Sequence, residues 1–216
     1  MGASTRPTFE EGTETIFGWV QDHWQWILAG AVLIAALAGG FALYERNQTQ
    51  KALRGERALF EAQRAALSGN LAQAQTDLQK VRVRFEGTPA SDRAALVLAQ
   101  VLYDQGKYTE GIQALNPVAD SKLVGGAAEA LIATGYEEQN KLKEAAEHYR
   151  KAAAKSAFEV DKANYLASAA RALGRAGDVA GATALWTELA ADPEGPVAGE
   201  ARVRLGELTA KAVSKG

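Results

Sequence analysis

Two imidazoles, His23 and His148, are the side chains here best suited to passing a proton near neutral pH. They lie far apart in sequence. His23 sits among tryptophans, where a lone ring reads as a wetted polar contact rather than a ligand to a metal or pigment. His148 precedes Tyr149 in a helical stretch and is expected to be partly exposed. Cysteine is absent, which removes a disulfide framework, a thiol nucleophile and a thiolate metal site. The chain contains no HExxH, CxxC or GxSxG motif and no glycine-rich phosphate loop. Gly39-Gly40 and Gly125-Gly126 read as packing or turn glycines. Glu137, Glu138 and Glu144 read as solvated carboxylates on a helix. No catalytic group, metal or cofactor is expected, and the work left to this chain is recognition by surfaces.

The stretch that positions everything else is Trp24–Tyr44, 21 residues without a charge. As a helix it reaches about 30 Å, the thickness of a bilayer's hydrocarbon core. Trp19, Trp24 and Trp26 gather at one edge, with Phe41 and Tyr44 near the other, in the manner of interfacial aromatic belts. A buried core helix would rarely be apolar for so long. A cleaved leader would fit Ala36-Leu37-Ala38 but not the acidic residues ahead of it. Within the span Ala31, Ala35 and Gly39 recur at intervals of four, a spacing that lets a second helix approach closely in lipid.

Residues 1–23 form a polar tail in which Gly2, Ser4, Pro7 and Gly12 discourage regular structure. From Thr15 an amphipathic lead-in to the membrane is expected. The tail carries a charge of −3 against +1 for residues 45–216. A near-neutral domain without a basic stripe argues against nucleic-acid binding.

Residues 45–216 repeat. Turn-like breaks fall at Ser68-Gly69-Asn70, Gln105-Gly106-Lys107, Gln139-Asn140-Lys141 and Ala176-Gly177-Asp178. After each comes an apolar residue, then a small one three positions on: Leu71/Ala74, Tyr108/Gly111, Leu142/Ala145, Val179/Ala182. Leu78, Leu115, Tyr149 and Trp186 follow four later. Intervals of 37, 34 and 37 residues match paired helices of tetratricopeptide type, in which the small residue marks the helix crossing. First helices are expected at 46–67, 89–105, 122–139 and 159–176, and second helices at 71–85, 108–120, 142–155 and 179–190. Thr88-Pro89 reads as a helix start, and Ser156 with Glu159 has capping-box spacing. Gly55 is the weak point of the helix leaving the membrane. Beyond Pro193 and Pro196 a last helix, with Val197, Ala201, Leu205 and Leu208 on one face, caps the stack. The fold expected is all-α: one transmembrane helix, then an α-solenoid of about four helix pairs with a capping helix.

Such a stack offers an inner face lined by its first helices. The repeat register assigns Arg93, Gln100, Tyr103, Glu137, Asn164 and Arg171 to that face as protein-binding candidates. A second role is that of a structural subunit of a respiratory, photosynthetic or secretion complex, held through Ala31, Ala35 and Gly39.

The span at Trp24–Tyr44, the FEAQRAALSGNLAQAQTDLQKV pair and the closing ALWTELAADPEGPVAGEARVRLGEL segment together resemble the bacterial YfgM-like proteins, ancillary subunits of the Sec translocon. The resemblance is one of architecture and covers nearly the whole chain. It implies a bacterial inner-membrane protein with a periplasmic domain that contacts the translocon and periplasmic chaperones, without catalytic residues. The charges point the other way. Only Arg6 precedes the span, while Arg46, Lys51, Arg54 and Arg57 follow it, which favours a cytoplasmic domain.

Overall fold

Four turns set the architecture. Gly69, Gly106 and Gly177 adopt φ of 80°, 73° and 81°, and Asn140 takes φ 57° in the same left-handed region. At each turn the amide three residues past the last helical residue reaches back to the same carbonyl position: Asn70 to Ala65, Lys107 to Leu102, Lys141 to Tyr136 and Asp178 to Leu173. This is the Schellman closure, which satisfies carbonyls that a helix end would leave open. One turn chemistry used four times joins the two helices of each of four α-hairpins.

A computed structural model describes residues 9–213, with side chains described from Trp19 to Ala210, residues 20–22 and 27 excepted. Among the described residues every regular element is helical. The helices are α1 (Phe9–Leu67), α2 (Leu71–Arg84), α3 (Pro89–Asp104), α4 (Tyr108–Leu115), α5 (Gly125–Glu138), α6 (Leu142–Lys155), α7 (Glu159–Arg175), α8 (Val179–Ala190) and α9 (Ala198–Val213), with a 3-10 turn at Asn116–Val118. The chain divides into two units, Met1–Gln50 and Lys51–Gly216.

In the first unit α1 begins at Phe9, so the later part of the expected polar tail is helical and includes Gly12. One glycine costs a helix about 1 kcal/mol, which a long helix absorbs. The expectations for Gly2, Ser4 and Pro7 lie outside the described residues. One helix among the described residues is long and apolar enough to cross a membrane. Its most apolar window has a mean hydropathy of 2.2, and none of it is buried.

In the second unit the observed helices follow the repeat register closely. Ala74, Gly111, Ala145 and Ala182 are all buried at hairpin crossings, and Leu78, Leu115, Tyr149 and Trp186 are buried behind them. The core passes along the stack as three clusters. Leu59, Leu78 and Leu98 join α1, α2 and α3. Leu115 and Ile132 join α3, α4 and α5. Tyr149, Leu185 and Trp186 join α5 through α9, where Val197, Leu205 and Leu208 close it.

Several local expectations are corrected. The second α-hairpin's return helix stops at Leu115, because Pro117 diverts the chain into the 3-10 turn. The next helix starts at Gly125 rather than Lys122. There a side chain would press on the Ala119 carbonyl, with Cβ and oxygen 2.6 Å apart. Ser156 is not the cap of α7: it ends α6, its hydroxyl accepts from the Phe158 amide, and Phe158 precedes the helix without a side-chain cap. Gly55 is a contact rather than a weakness, since a Cβ there would lie 3.1 Å from Ala90 Cβ and 3.2 Å from the Phe85 ring. Val179, the apolar residue that follows the last turn, is exposed.

Candidate protein-binding surface

Four of the six candidates brace one first helix against the next. Arg93 on α3 pairs with Glu56 on α1, at 2.9 Å. The Tyr103 hydroxyl donates to the Leu131 carbonyl of α5, at 2.9 Å. Glu137 on α5 accepts from Arg175 on α7 at 2.6 Å and from the Tyr149 hydroxyl at 2.8 Å. Arg171 on α7 pairs with Glu200 on α9, at 3.0 Å. On these first helices the polar side chains of the four satisfy partners across successive repeats. Gln100 and Asn164 are exposed and take no part in this bracing.

Tyr103 is half-buried. Its ring lies against Gly111 and Gly135, where any side chain would meet it. Burial, followed by the nearby Tyr136, pushes its phenol above the ordinary range. Burial and the hydrogen bond to Glu137 push the Tyr149 phenol up to about 12. Both tyrosines thus stay protonated donors at any physiological pH.

Two grooves open beside these braces. One, of about 410 Å³, has an apolar floor of Leu71, Val97 and Val101 between α1 and α3, with Gln63 and Gln100 at its edge. The other, of about 320 Å³, lies over Trp186 and Leu208 and is rimmed by Arg171, Arg175 and Arg204. An apolar floor with polar rims can receive side chains of an extended or helical polypeptide.

A buried polar cluster went unread in the sequence. Glu129, 4% exposed, accepts from His148 Nδ1 at 2.6 Å and from Lys155 Nζ at 2.9 Å. Lys155 also donates to the Ala119 carbonyl and to Asp120. Burial alone would raise the Glu129 carboxyl. The hydrogen bonds from His148 and Lys155, with the lysine charge, outweigh it and hold the group below its ordinary value. Lys155 is raised in turn by its bonds to Asp120 and Glu129. The cluster ties the 119–120 turn to α5 and α6, which makes it a brace. An isolated glutamate inside an alanine-rich helix carries no periodic signal, so only its neighbours reveal its role.

His23 is exposed, stacks on Trp19 and faces the Trp19 carbonyl at 2.9 Å. Ala31, Ala35 and Gly39 are exposed on α1. Among the described residues no cluster of three or more histidine, aspartate or glutamate side chains could hold a metal.

Stacked antiparallel helix pairs define a helical-repeat protein, an architecture that binds other proteins. The chain belongs to the tetratricopeptide repeat-like domain family, whose profile matches residues 18–122 and 55–175. Two solved structures of a kinesin-light-chain-like protein from Podosopora anserina, with nearly identical TPR-like repeats, share the fold. One is 18% identical, at a TM-score of 0.55 over 72% of this chain and 85% of that one. The other, a point variant of that protein, is 18% identical at 0.56, over 72% and 84%. No curated protein matches the sequence.

Proposed function

We propose that this protein is a non-catalytic scaffold anchored in the bacterial inner membrane by α1, assisting translocation, folding or assembly of envelope proteins. The observation that carries the reading is a contrast within the chain. None of the apolar window of α1 is buried, whereas large apolar side chains such as Leu78, Ile132 and Trp186 are fully or almost fully buried in the repeats. A run so apolar costs much free energy in water, and lipid removes that cost. The repeats supply the recognition surface, with Gln100 and Asn164 contacting partners alongside the exposed edges of Arg93, Tyr103, Glu137 and Arg171. The resemblance to YfgM-like proteins favours the Sec translocon and periplasmic chaperones as partners, and a periplasmic domain.

Purification of the full chain in mild detergent, with mass spectrometry of co-eluting proteins, tests the partner class. Replacing Gln100 and Asn164 by alanine should reduce recovery of those partners while leaving helix content unchanged; full recovery counts against this surface. Protease added to intact spheroplasts should digest the repeats, and protection would place them in the cytoplasm. Exchanging residues 24–44 for an unrelated apolar helix should leave capture by the repeats intact. Loss of assembly instead would favour a structural subunit held through Ala31, Ala35 and Gly39.

A further inference from the structure

A third groove, of about 240 Å³, lies between the start of α7 and the segment joining α8 to α9. Its floor is apolar, formed by Ala163 and Leu166 of α7, Leu189 of α8, and Pro196 and Val197 beyond it. Leu166, Leu189 and Val197 are half-buried: each packs against the core of the last repeats and still lines the groove. The rim is acidic. Glu159, Glu188 and Asp192 line it, and Asp161 and Glu194 stand two residues from Glu159 and Asp192.

These carboxylates differ from those on the neighbouring groove. The arginines over Trp186 are met by Glu137, Glu200 and Glu207 of their own chain. On the acidic rim only Glu159 has an ion-pair partner among the described residues, Lys162 at 3.8 Å. Lys155, the nearest cation earlier in the chain, is taken up by Asp120 and Glu129. The helix ends divide the acids into two groups. Glu159 and Asp161 lie in the first turn of α7, where the helix dipole favours negative charge. Glu188 lies in the last turn of α8, which holds no basic residue, and Asp192 and Glu194 follow it. That helix end carries partial negative charge of its own, so it adds to the three carboxylates instead of offsetting them. Asp192 accepts from the Glu194 amide through one oxygen, and its other oxygen has room for a cation. An apolar floor under uncompensated negative charge selects its occupant. An acidic segment, a nucleic acid or an anionic lipid is repelled, and a neutral apolar segment leaves the carboxylates unmet.

We propose that this groove docks a basic, amphipathic segment of a partner polypeptide. One large apolar side chain sits on Leu166, Leu189 and Val197, and flanking lysines or arginines meet Glu188, Asp192 and Glu194. This docking rests on the reading of the repeats as a protein-binding scaffold and adds the chemistry of one partner segment to it.

The full chain in uncharged detergent is titrated into the labelled peptide Gly-Ser-Lys-Leu-Lys-Ser-Gly, read by fluorescence anisotropy against micelles alone. Control peptides carry glycine for the leucine or glutamate for both lysines, and each should bind about tenfold more weakly or worse. Glu188→Lys and Glu194→Lys should each weaken binding of the lysine–leucine peptide by about tenfold. Glu110→Lys, the same charge change at an exposed site on α4, should leave it unaltered. Ala163→Phe fills the groove without removing a core side chain, and should lower binding to that of the glycine control. Helical circular dichroism should be unchanged in all four variants. Undiminished binding in Glu188→Lys and Glu194→Lys, an equal loss in Glu110→Lys, or indifference to the leucine would overturn the docking. So would a chain that ignores the peptide yet binds calcium, or self-associates, through Glu188, since the groove would then belong to a metal ion or a second copy. If the peptide fails while partner proteins still co-elute with the full chain, the docking falls and the scaffold stands; if no partner co-elutes either, both fall.

Discussion

Replacing Gly135 by alanine sets two effects against each other. Alanine in the interior of α5 favours the helix by about 0.8–1.0 kcal/mol over glycine. The new Cβ, however, would meet the Tyr103 hydroxyl and lie 2.8 Å from both Tyr103 Cζ and Ile112 Cγ1. Tyr103 cannot easily yield, since its hydroxyl is tied to Leu131 and Gly111 lies against its ring. Overpacking of this kind costs about 1–3 kcal/mol, so the net is a loss of up to about 2 kcal/mol. For a domain of this size that lowers the midpoint of thermal unfolding by up to about 8 °C, read as helical circular dichroism of the full chain in detergent. Adding Tyr103→Phe to the Gly135→Ala chain removes the nearest clashing atom and should recover part of the loss. Gly174→Ala is the control: its Cβ would meet only Ala182 Cβ, at an ordinary 3.9 Å, and the midpoint should hold or rise. A higher midpoint for Gly135→Ala would refute the close packing of Tyr103 at this junction.

Truncating Trp186, almost fully buried between α7, α8 and α9, should cost about 3–5 kcal/mol and expose the last two helices to limited proteolysis before the rest. The depressed Glu129 carboxyl contributes stability that is fully present above its unfolded value, near the ordinary 4.5, and is lost as pH falls through its lower folded value. Glu129→Gln should therefore flatten the acid limb of unfolding below pH 4.5, which an unchanged limb would contradict. Arg93→Ala removes an exposed ion pair to Glu56 and should change stability by less than about 1 kcal/mol. Any larger fall in partner capture then reports on recognition rather than folding.

The repeat boundaries were legible because each rests on local chemistry. Gly69, Gly106, Asn140 and Gly177 are residues that tolerate a left-handed backbone, and Ala74, Gly111, Ala145 and Ala182 are small for reasons their own hairpins supply. That Arg93, Tyr103, Glu137 and Arg171 lie on first helices was legible for the same reason, since the turns set which helix each belongs to. Their partners were not. Glu56, Leu131, Arg175 and Glu200 lie on neighbouring first helices, and which of them meets a given candidate depends on how one hairpin leans on the next.

Sequence alone determined that this chain is helical, repeats with a period near 34, and carries one helix apolar enough to cross a membrane, because turn propensity, side-chain volume and hydropathy act over a few residues. Tertiary structure decided what the polar residues are for. Glu129 became a buried brace and Gly55 a close contact, while Ser156 lost its capping role. Those outcomes depend on atoms brought together from distant parts of the chain, and no local pattern records the distance between them.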